Sequence, residues 1–554
     1  MKAPASSEMF TPKLITLLRR GYRLADLRAD LMAGLTVAIV ALPLATALAI
    51  ASGAGPVQGL TTAIVAGLLI SALGGSRLQI GGPTGAFVVV VADVIATHGY
   101  GGLVLATLMA GVILVVAGYA RLGAVVRFIP HPVITGFTAG IAVIIAASQL
   151  KDFFGLTAPD LPADMLPKLA ALARAADTLD IATCAIGLGS LALIVALRRW
   201  APRWPGPLIA VGLASLAVVL IELPVATIGS RFGSLPEGLP APHLPALSLA
   251  QVQALVPAAV TIAFLAGIEA LLSAMVADGM AGTRHRPNQE LVGQGVANVA
   301  SALFGGLPAT GAIARTATNI RAGARTPIAG IAHALFLLAF LMLGGTLLAH
   351  IPLAALAAVL LVVAWGMSEA HAFLHLRRLP PSDRMVLLLT FALTVLVDLT
   401  VAIAVGVGLA CLLFMVRMSE TLSVNRETDE TEDDSQRAAL PPGVEVFRLS
   451  GPLFFGVATD LVDTLQRMGQ APRVLILRMG QVPYVDSSAG QALANVVGRC
   501  RDRRIAVVIE GASTQPLGVL DGLGLGRTSA TVHHAVSHDA AVALAQRLTS
   551  SGSS

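Results

Sequence analysis

Charge, cysteine and aromatic side chains are all scarce in this chain of 554 residues. Asp, Glu, Lys and Arg together make up 12% of it against 55% hydrophobic residues, and the mean hydropathy is +0.80. So little charge cannot coat a water-soluble protein of this size, which excludes an ordinary soluble fold. Three cysteines occur, Cys184, Cys411 and Cys500, without a CxxC pair or a His-rich neighbourhood. Neither a disulfide framework nor a metal site is supported, and no cofactor is expected. No run of about ten residues alternates in polarity, which argues against barrel strands. Residues 1–30 hold no cleavable signal. The C-terminal part has no paired nucleophile and base and no phosphate-cradling glycine loop, so an enzyme is not expected. The formal charge is +5, but the basic residues fall in short connections between apolar runs. There they mark topology and not a nucleic-acid surface.

Hydrophobic stretches fill most of the chain from Leu31 to Arg417. Many approach the length of about 20 residues that a helix needs to cross a bilayer, and a helix satisfies its own backbone there. The pattern predicts an all-α polytopic membrane domain of 14 segments, at 32–51, 57–74, 84–98, 102–120, 130–149, 180–198, 206–223, 255–277, 291–304, 311–320, 327–349, 352–367, 384–398 and 400–417. With the N-terminus inside, every second loop is cytoplasmic. Those loops carry Arg77, Arg121, Arg127, Arg198, Arg199, Arg203, Arg284, Arg286, Arg321, Arg325, Arg377, Arg378 and Arg384, and the alternate loops hold only Lys151, Lys168, Arg174 and Arg231. That alternation fits the positive-inside rule and puts both termini in the cytoplasm.

Two stretches repeat one chemistry. GGPTGAF at 81–87 and GGLPATGAIART at 305–316 each place Gly, Pro, Thr and Ala just before residues that can enter a helix. Gly85 and Gly311 are offset by 226 positions, and Ile129–Pro130 recurs as Ile351–Pro352 at an offset of 222. Matched anchors at nearly one offset, with seven segments in each half, predict 7+7 inverted repeats over about 31–225 and 250–418. The acidic stretch 419–442 reads as a linker. Residues 443–550 read as a small α/β domain with strands near 444–449, 473–479 and 505–510 and helices near 457–468, 487–501 and 537–548.

A helix that begins within the membrane exposes unpaired N–H groups and the positive end of its dipole, so a small anion is its natural ligand. Thr84 and Thr310 are expected to add hydroxyl donors at the two starts, and Gly85 and Gly311 to let backbone approach closely. Arg315 is an intramembrane cation and so a candidate functional group, with a structural ion pair or a snorkel to the cytoplasmic side as alternatives. Glu269 lies in mid-span with no basic residue within a helical turn. Proton coupling is its functional reading; a charge pair with Arg315 or a hydrogen bond to broken backbone is the structural one. Gln58, Gln79, Gln149, Gln294, Asn298 and Asn319 are read first as interhelical packing groups.

LPLATALAIASG at 42–53, GGSRLQIGGPTGAFVVVV at 74–91, FIPHPVITGFTAGIAV at 128–143 and the stretch 276–327 resemble the sulfate permease family of anion transporters, and the C-terminal part resembles a STAS domain. The resemblance implies a core and a gate domain, broken third and tenth helices, and usually a homodimer. It places the substrate site at Leu44 and Leu48, at Thr84, Gly85, Ala86 and Phe87, and at Gly311, Ala312, Ile313, Ala314 and Arg315, with Glu269 at the position tied to proton coupling. Ala314 stands where some animal relatives have Ser, and Leu44 and Leu48 where they have a glutamine and a phenylalanine. Within VPYVDSSAG at 482–490, Ser487 occupies the place of a regulatory phosphoserine in anti-sigma-factor antagonists, although Ala489 departs from that pattern. Asp486 is read first as a helix N-cap.

The expected function is therefore secondary active transport of sulfate, a dicarboxylate or bicarbonate across a bacterial inner membrane. Proton symport comes first, anion exchange second and sodium-coupled bicarbonate transport third. Membrane lipid, a second copy of the chain and a cytoplasmic protein recognising the STAS domain are the expected partners, and no nucleic acid is. A membrane-anchored STAS receptor is the alternative of a different class; an anchor needs neither two midplane helix starts nor Arg315.

Overall fold

The computed structural model describes residues 9–124, 130–158, 162, 165–202, 204–233, 238–245, 248–397, 399–420, 423–426, 440–454, 472–527, 529 and 532–550. The chain divides into two compact units, Met1–Val407 and Gly408–Ser554. The predicted helix near 457–468 and the Ile129 repeat anchor lie outside the described residues.

The first unit runs α1 (Lys13–Arg20), α2 (Leu24–Ala51), α3 (Pro56–Leu73), β1 (Gly81–Gly82), α4 (Phe87–Tyr119), α5 (His131–Phe154), α6 (Met165–Arg174), α7 (Ile181–Trp200), α8 (Gly206–Ile221), α9 (Ile228–Phe232), α10 (Leu249–Ala281), α11 (Pro287–Leu303), β2 (Thr310–Gly311), α12 (Ile313–Arg321), α13 (Ile328–Ala349), α14 (Leu353–Met367), α15 (Ala370–Leu374), α16 (Pro381–Leu396) and the start of α17 (Leu399–Glu420). Among the described residues, α2, α3, α4, α5, α7, α10 and Val401–Met418 within α17 are long and apolar enough to cross a membrane. This is a multi-pass membrane protein. Helix α4 leaves helical backbone at Gly99 (φ 70°), between two of the spans read from the sequence.

Two packed sets stand out. Helices α2, α3, α4, α10, α11 and α13 form one; α5, α7, α14 and α16 form the other, and α14 and α8 reach α2. Lipid tails provide no hydrophobic drive between helices, so close approach of small residues supplies the packing. The crossing of α4 and α11 shows this: a Cβ on Gly111 would stand 2.7 Å from the Gly295 carbonyl oxygen, and one on Gly295 would stand 2.5 Å from that of Gly111. Proline interrupts α2 at Pro43 and α10 at Pro257. In the turn after each, a threonine hydroxyl donates to the proline's own carbonyl, Thr46 to that of Pro43 at 2.9 Å and Thr261 to that of Pro257 at 2.9 Å.

The second unit continues through β3 (Ser423–Arg426), β4 (Val444–Ser450), β5 (Val474–Gln481), α18 (Ser487–Asp502), β6 (Ala506–Glu510), α19 (Thr514–Gly522), β7 (Val532–Ala535) and α20 (His538–Ser550). Its sheet has the order β3-β4-β5-β6-β7. Strands β4 to β7 are parallel, and β3 joins the edge antiparallel to β4. Strand β3 arises within the stretch read as a linker. Alternation in the central strands sends Leu475, Leu477, Val507 and Ile509 toward Leu493, Val496 and Val497 of α18, and Ile476 and Val508 toward Ala541 and Ala545 of α20. Both faces are covered, as a parallel sheet requires. Asp486 caps α18, accepting from the Ala489 N–H at 2.8 Å.

Candidate functional site

The helix α4 begins at Phe87 and α12 at Ile313, 226 positions apart (313 minus 87), the offset carried by the two glycine motifs. A short strand precedes each start, and β1 and β2 meet antiparallel, Gly81 opposite Gly311 and Gly82 opposite Thr310. The Ala312 N–H donates to the Ile80 carbonyl at 2.8 Å beside this short ladder. A two-residue ladder leaves most of the unwound backbone to be satisfied by side chains. Asn298 takes the Ala309 N–H and donates to the Ala309 carbonyl, each at 2.8 Å. Asn319 donates to the Leu78 carbonyl at 2.9 Å, Thr316 accepts from the Ile80 N–H at 3.0 Å and Thr62 accepts from the Leu307 N–H at 2.6 Å. Asn298 and Asn319, read as packing groups, therefore hold the broken segments open.

Neither helix start has a side-chain cap or an acidic residue in its first turn. Each presents the positive end of a dipole, equivalent to roughly half a charge. The surroundings are apolar: Ala86, Phe87 and Leu48 are buried in one core cluster and Leu44 packs against it. Ile313 is 42% exposed and Ala314 is exposed, which opens the α12 start more than the α4 start.

The two threonines are not free donors. The Thr84 hydroxyl donates to Glu269 Oε2 at 2.7 Å, and the Thr310 hydroxyl donates to the Ala266 carbonyl at 2.7 Å. Ala266 and Glu269 lie three residues apart on α10, so one helix holds both unwound strands. The expected opposition of Glu269 and Arg315 is indirect. Arg315, 2% exposed, donates through Nη2 to the Pro83 carbonyl and so crosses from the second broken segment to the first. Its Nη1 lies where a side chain at residue 82 would be: a Cβ on Gly82 would stand 2.6 Å away. At φ 144° Gly82 also adopts a backbone that other residues avoid. Arg315 thus reaches from α12 to the segment just before α4.

Sequence reasoning missed Met367, Ile145 and Glu290, and it read Gln79 as a packing group, which is how the structure uses it. A Cβ on Gly85 would stand 2.8 Å from Met367 Sδ and 3.3 Å from Ile145 Cδ1, so α14 and α5 of the second packed set wall the α4 start. Gln79 fills the space beside Gly311, where a Cβ would stand 1.5 Å from its amide nitrogen. Glu290, fully buried, accepts from the Ser76 N–H and from Gln294, both at 2.8 Å. An apolar methionine carries no sequence signal for such a place. Glu290, by contrast, is an acidic residue one turn before Gln294 at a predicted span end and could have been singled out.

The sulfate permease family pattern matches residues 27–390, and a STAS domain pattern matches 437–536. The chain belongs to the sulfate permease family. Like other members of these anion transporters it is no enzyme. It is 41% identical to the putative sulfate transporter YvdB of Bacillus subtilis over 94% of this chain and 98% of that protein. A solved transmembrane domain of a cyanobacterial bicarbonate transporter, BicA, is 33% identical, covers 69% of this permease and 98% of its own length, and superposes with a TM-score of 0.64. The murine anion transporter Slc26a9 in its inward-facing state shares the fold, with a TM-score of 0.87 over 99% of this chain and 96% of that one, at 19% identity.

Proposed function

We propose that this permease is a secondary active carrier of a small anion, held between the α4 and α12 helix starts and exposed to alternate sides as the α2–α4/α10–α13 set moves against the α5/α7/α14/α16 set. The observation that carries it is the antiparallel meeting of β1 and β2, which points two uncapped helix starts into one apolar region. Opposed strand directions at the crossing also support the 14-segment, 7+7 inverted arrangement. Leu44, Leu48, Thr84, Gly85, Ala86 and Phe87 form one wall, and Thr310, Gly311, Ala312, Ile313, Ala314 and Arg315 the other. The relatives named for sulfate and for bicarbonate make those two anions the first candidates.

Glu269 is the proton-coupling group in this reading. Its carboxylate engages Thr84 at the α4 start, and protonation weakens that bond and releases the hydroxyl toward an incoming anion. Proton and anion then bind together. Anion uptake against an inside-negative potential costs about 2.3 kcal/mol per charge per 100 mV, and a co-transported cation offsets it.

The segment division follows the sequence: a cytoplasmic stretch 1–30, a transport domain 31–418, a connection 419–442 and a STAS domain 443–550. Both termini are assigned to the cytoplasm of a bacterial inner-membrane protein that works as a homodimer. Ser487, exposed at the first turn of α18, is the proposed phosphorylation site: a phosphate there would meet a helix N-terminus, and a cytoplasmic partner would read it. Purified protein in proteoliposomes tests the transport reading: labelled sulfate, fumarate or bicarbonate should accumulate faster under an inward proton gradient. Absence of flux for every anion would rule the reading out, and flux that follows a sodium gradient alone would replace the proton.

A further inference from the structure

A short helix at the head of the chain has a use that transport chemistry does not explain. Helix α1 and the residues just before it are tied to one end of the bundle by four contacts. The Arg286 Nη1 donates to the Thr11 carbonyl at 2.7 Å and to the Thr16 hydroxyl at 2.8 Å. The Lys13 N–H donates to the Gly74 carbonyl at 3.1 Å, and Phe10 stacks on Tyr119 at 5.4 Å between ring centroids. Gly74 ends α3, Tyr119 ends α4 and Arg286 precedes α11, so α1 lies across the same end of the bundle at which α2 begins.

Its outward face is apolar and cationic together. Ile15 and Leu18, three positions apart and thus on one face, are 40% and 54% exposed, and Leu24 at the start of α2 is 82% exposed. Arg19, Arg23 and Arg28 are exposed around them. Of the acidic residues nearby, Asp26 pairs with Arg325 at 2.8 Å and also feels the charge of Arg23, and buried Asp30 accepts from Tyr22 and from the Arg325 and Thr326 N–H groups. Three exposed arginines therefore carry more positive charge than the one shared carboxylate offsets. Helix α2 has 28 residues, a length of about 42 Å at 1.5 Å per residue, against a hydrocarbon layer of about 30 Å. The helix is thus longer than the layer is thick, and Asp26 and Arg28 in its first turns mark the end next to α1 as the polar one.

We propose that α1 and the first turn of α2 lie in the membrane interface, with Ile15, Leu18 and Leu24 among the acyl-chain ends and Arg19, Arg23 and Arg28 on the phosphates of anionic phospholipids. Charge complementarity and continuity with the membrane-spanning α2 select this occupant. Since α1 is fastened to α3, α4 and α11, the lipid holds the set of helices that carries both broken segments.

The test uses the full-length protein in liposomes, with Trp200, Trp204 and Trp365 replaced by Phe and Leu18→Trp introduced as the reporter. Its fluorescence should be quenched by acyl-brominated phosphatidylglycerol about twofold more than by acyl-brominated phosphatidylcholine, and R19Q/R23Q/R28Q together should remove the difference. Quenching by aqueous iodide and not by lipid places the helix in water and overturns the proposal. Protection from both means that protein covers the face, which overturns it equally. Equal quenching by the two lipids removes the anionic recognition. Ile15→Trp provides the same readout if the Leu18 variant does not fold.

Discussion

Thr84 and Glu269 meet across 2.7 Å, the hydroxyl of the first broken segment on the carboxyl of α10. The bond joins the place where an anion would sit to the one acidic side chain read as a coupling group. A hydrogen bond to a charged group contributes about 1.5–3 kcal/mol, against about 1 kcal/mol for one between neutral groups.

Glu269→Gln should abolish the acceleration of uptake by an inward proton gradient while leaving anion exchange within about threefold of normal, because the neutral amide, like the protonated carboxyl, holds Thr84 less tightly than a carboxylate and does so at every pH. Thr84→Val should weaken anion binding and blunt the proton response together. Uptake measured against exchange in proteoliposomes separates the two effects, and an unaltered proton response in Glu269→Gln removes that residue from the mechanism.

Gly311→Ala should destabilise the membrane unit by about 1–3 kcal/mol through overpacking, since the added Cβ meets the Gln79 amide at 1.5 Å. Combining it with Gln79→Ala should recover much of the loss. Gly366→Ala, where nothing lies within 4 Å, serves as the neutral comparison. Thermal unfolding in detergent reports all three.

Gly85→Ala pushes against Met367 Sδ at 2.8 Å. A thioether end is flexible, so the fold should survive and the cost should appear as slower transport. Met367→Ala in the Gly85→Ala background should restore the rate by making room. A loss of rate that Met367→Ala does not relieve would mean that the α4 start itself, and not its α14 wall, is disturbed.

Cys500 is 3% exposed, and burial pushes its thiol above the ordinary cysteine range despite Arg499 and Arg503 nearby. Thiolate is the reactive form, so a raised value means less of it at neutral pH. Alkylation of Cys500 at pH 7.5 should be at least about tenfold slower than that of a free cysteine, and should accelerate when the STAS unit is unfolded by urea. Mass spectrometry of the labelled peptide measures this.

The membrane class, the two helix starts and the α/β character of the C-terminal unit were legible because each rests on local pattern. Hydropathy marks spans, Gly and Pro mark breaks, and alternation marks strands. Helix α12 begins two residues from the predicted edge, and the 226-residue offset recurs in the helix starts. Asp486 was likewise readable as a cap from its place before an amphipathic run. The short helices α1, α6, α9 and α15, strand β7 and helix α19 were not read, because brief elements carry too few periods to register. Strand β3 hides in a polar stretch whose pairing partner, β4, lies beyond a separate segment.

By itself the sequence determined that the chain resides in a membrane, that helices begin just after two Gly-, Pro- and Thr-rich stretches, and that Arg315 and Glu269 lie in the membrane part. Only the tertiary structure decided which groups meet. It gave the two threonine hydroxyls to α10, turned Arg315 to the Pro83 carbonyl, and set Met367 against Gly85. Such choices depend on where helices far apart in the chain cross, and on which buried donor reaches which acceptor once they do; neither leaves a period or a motif along the sequence.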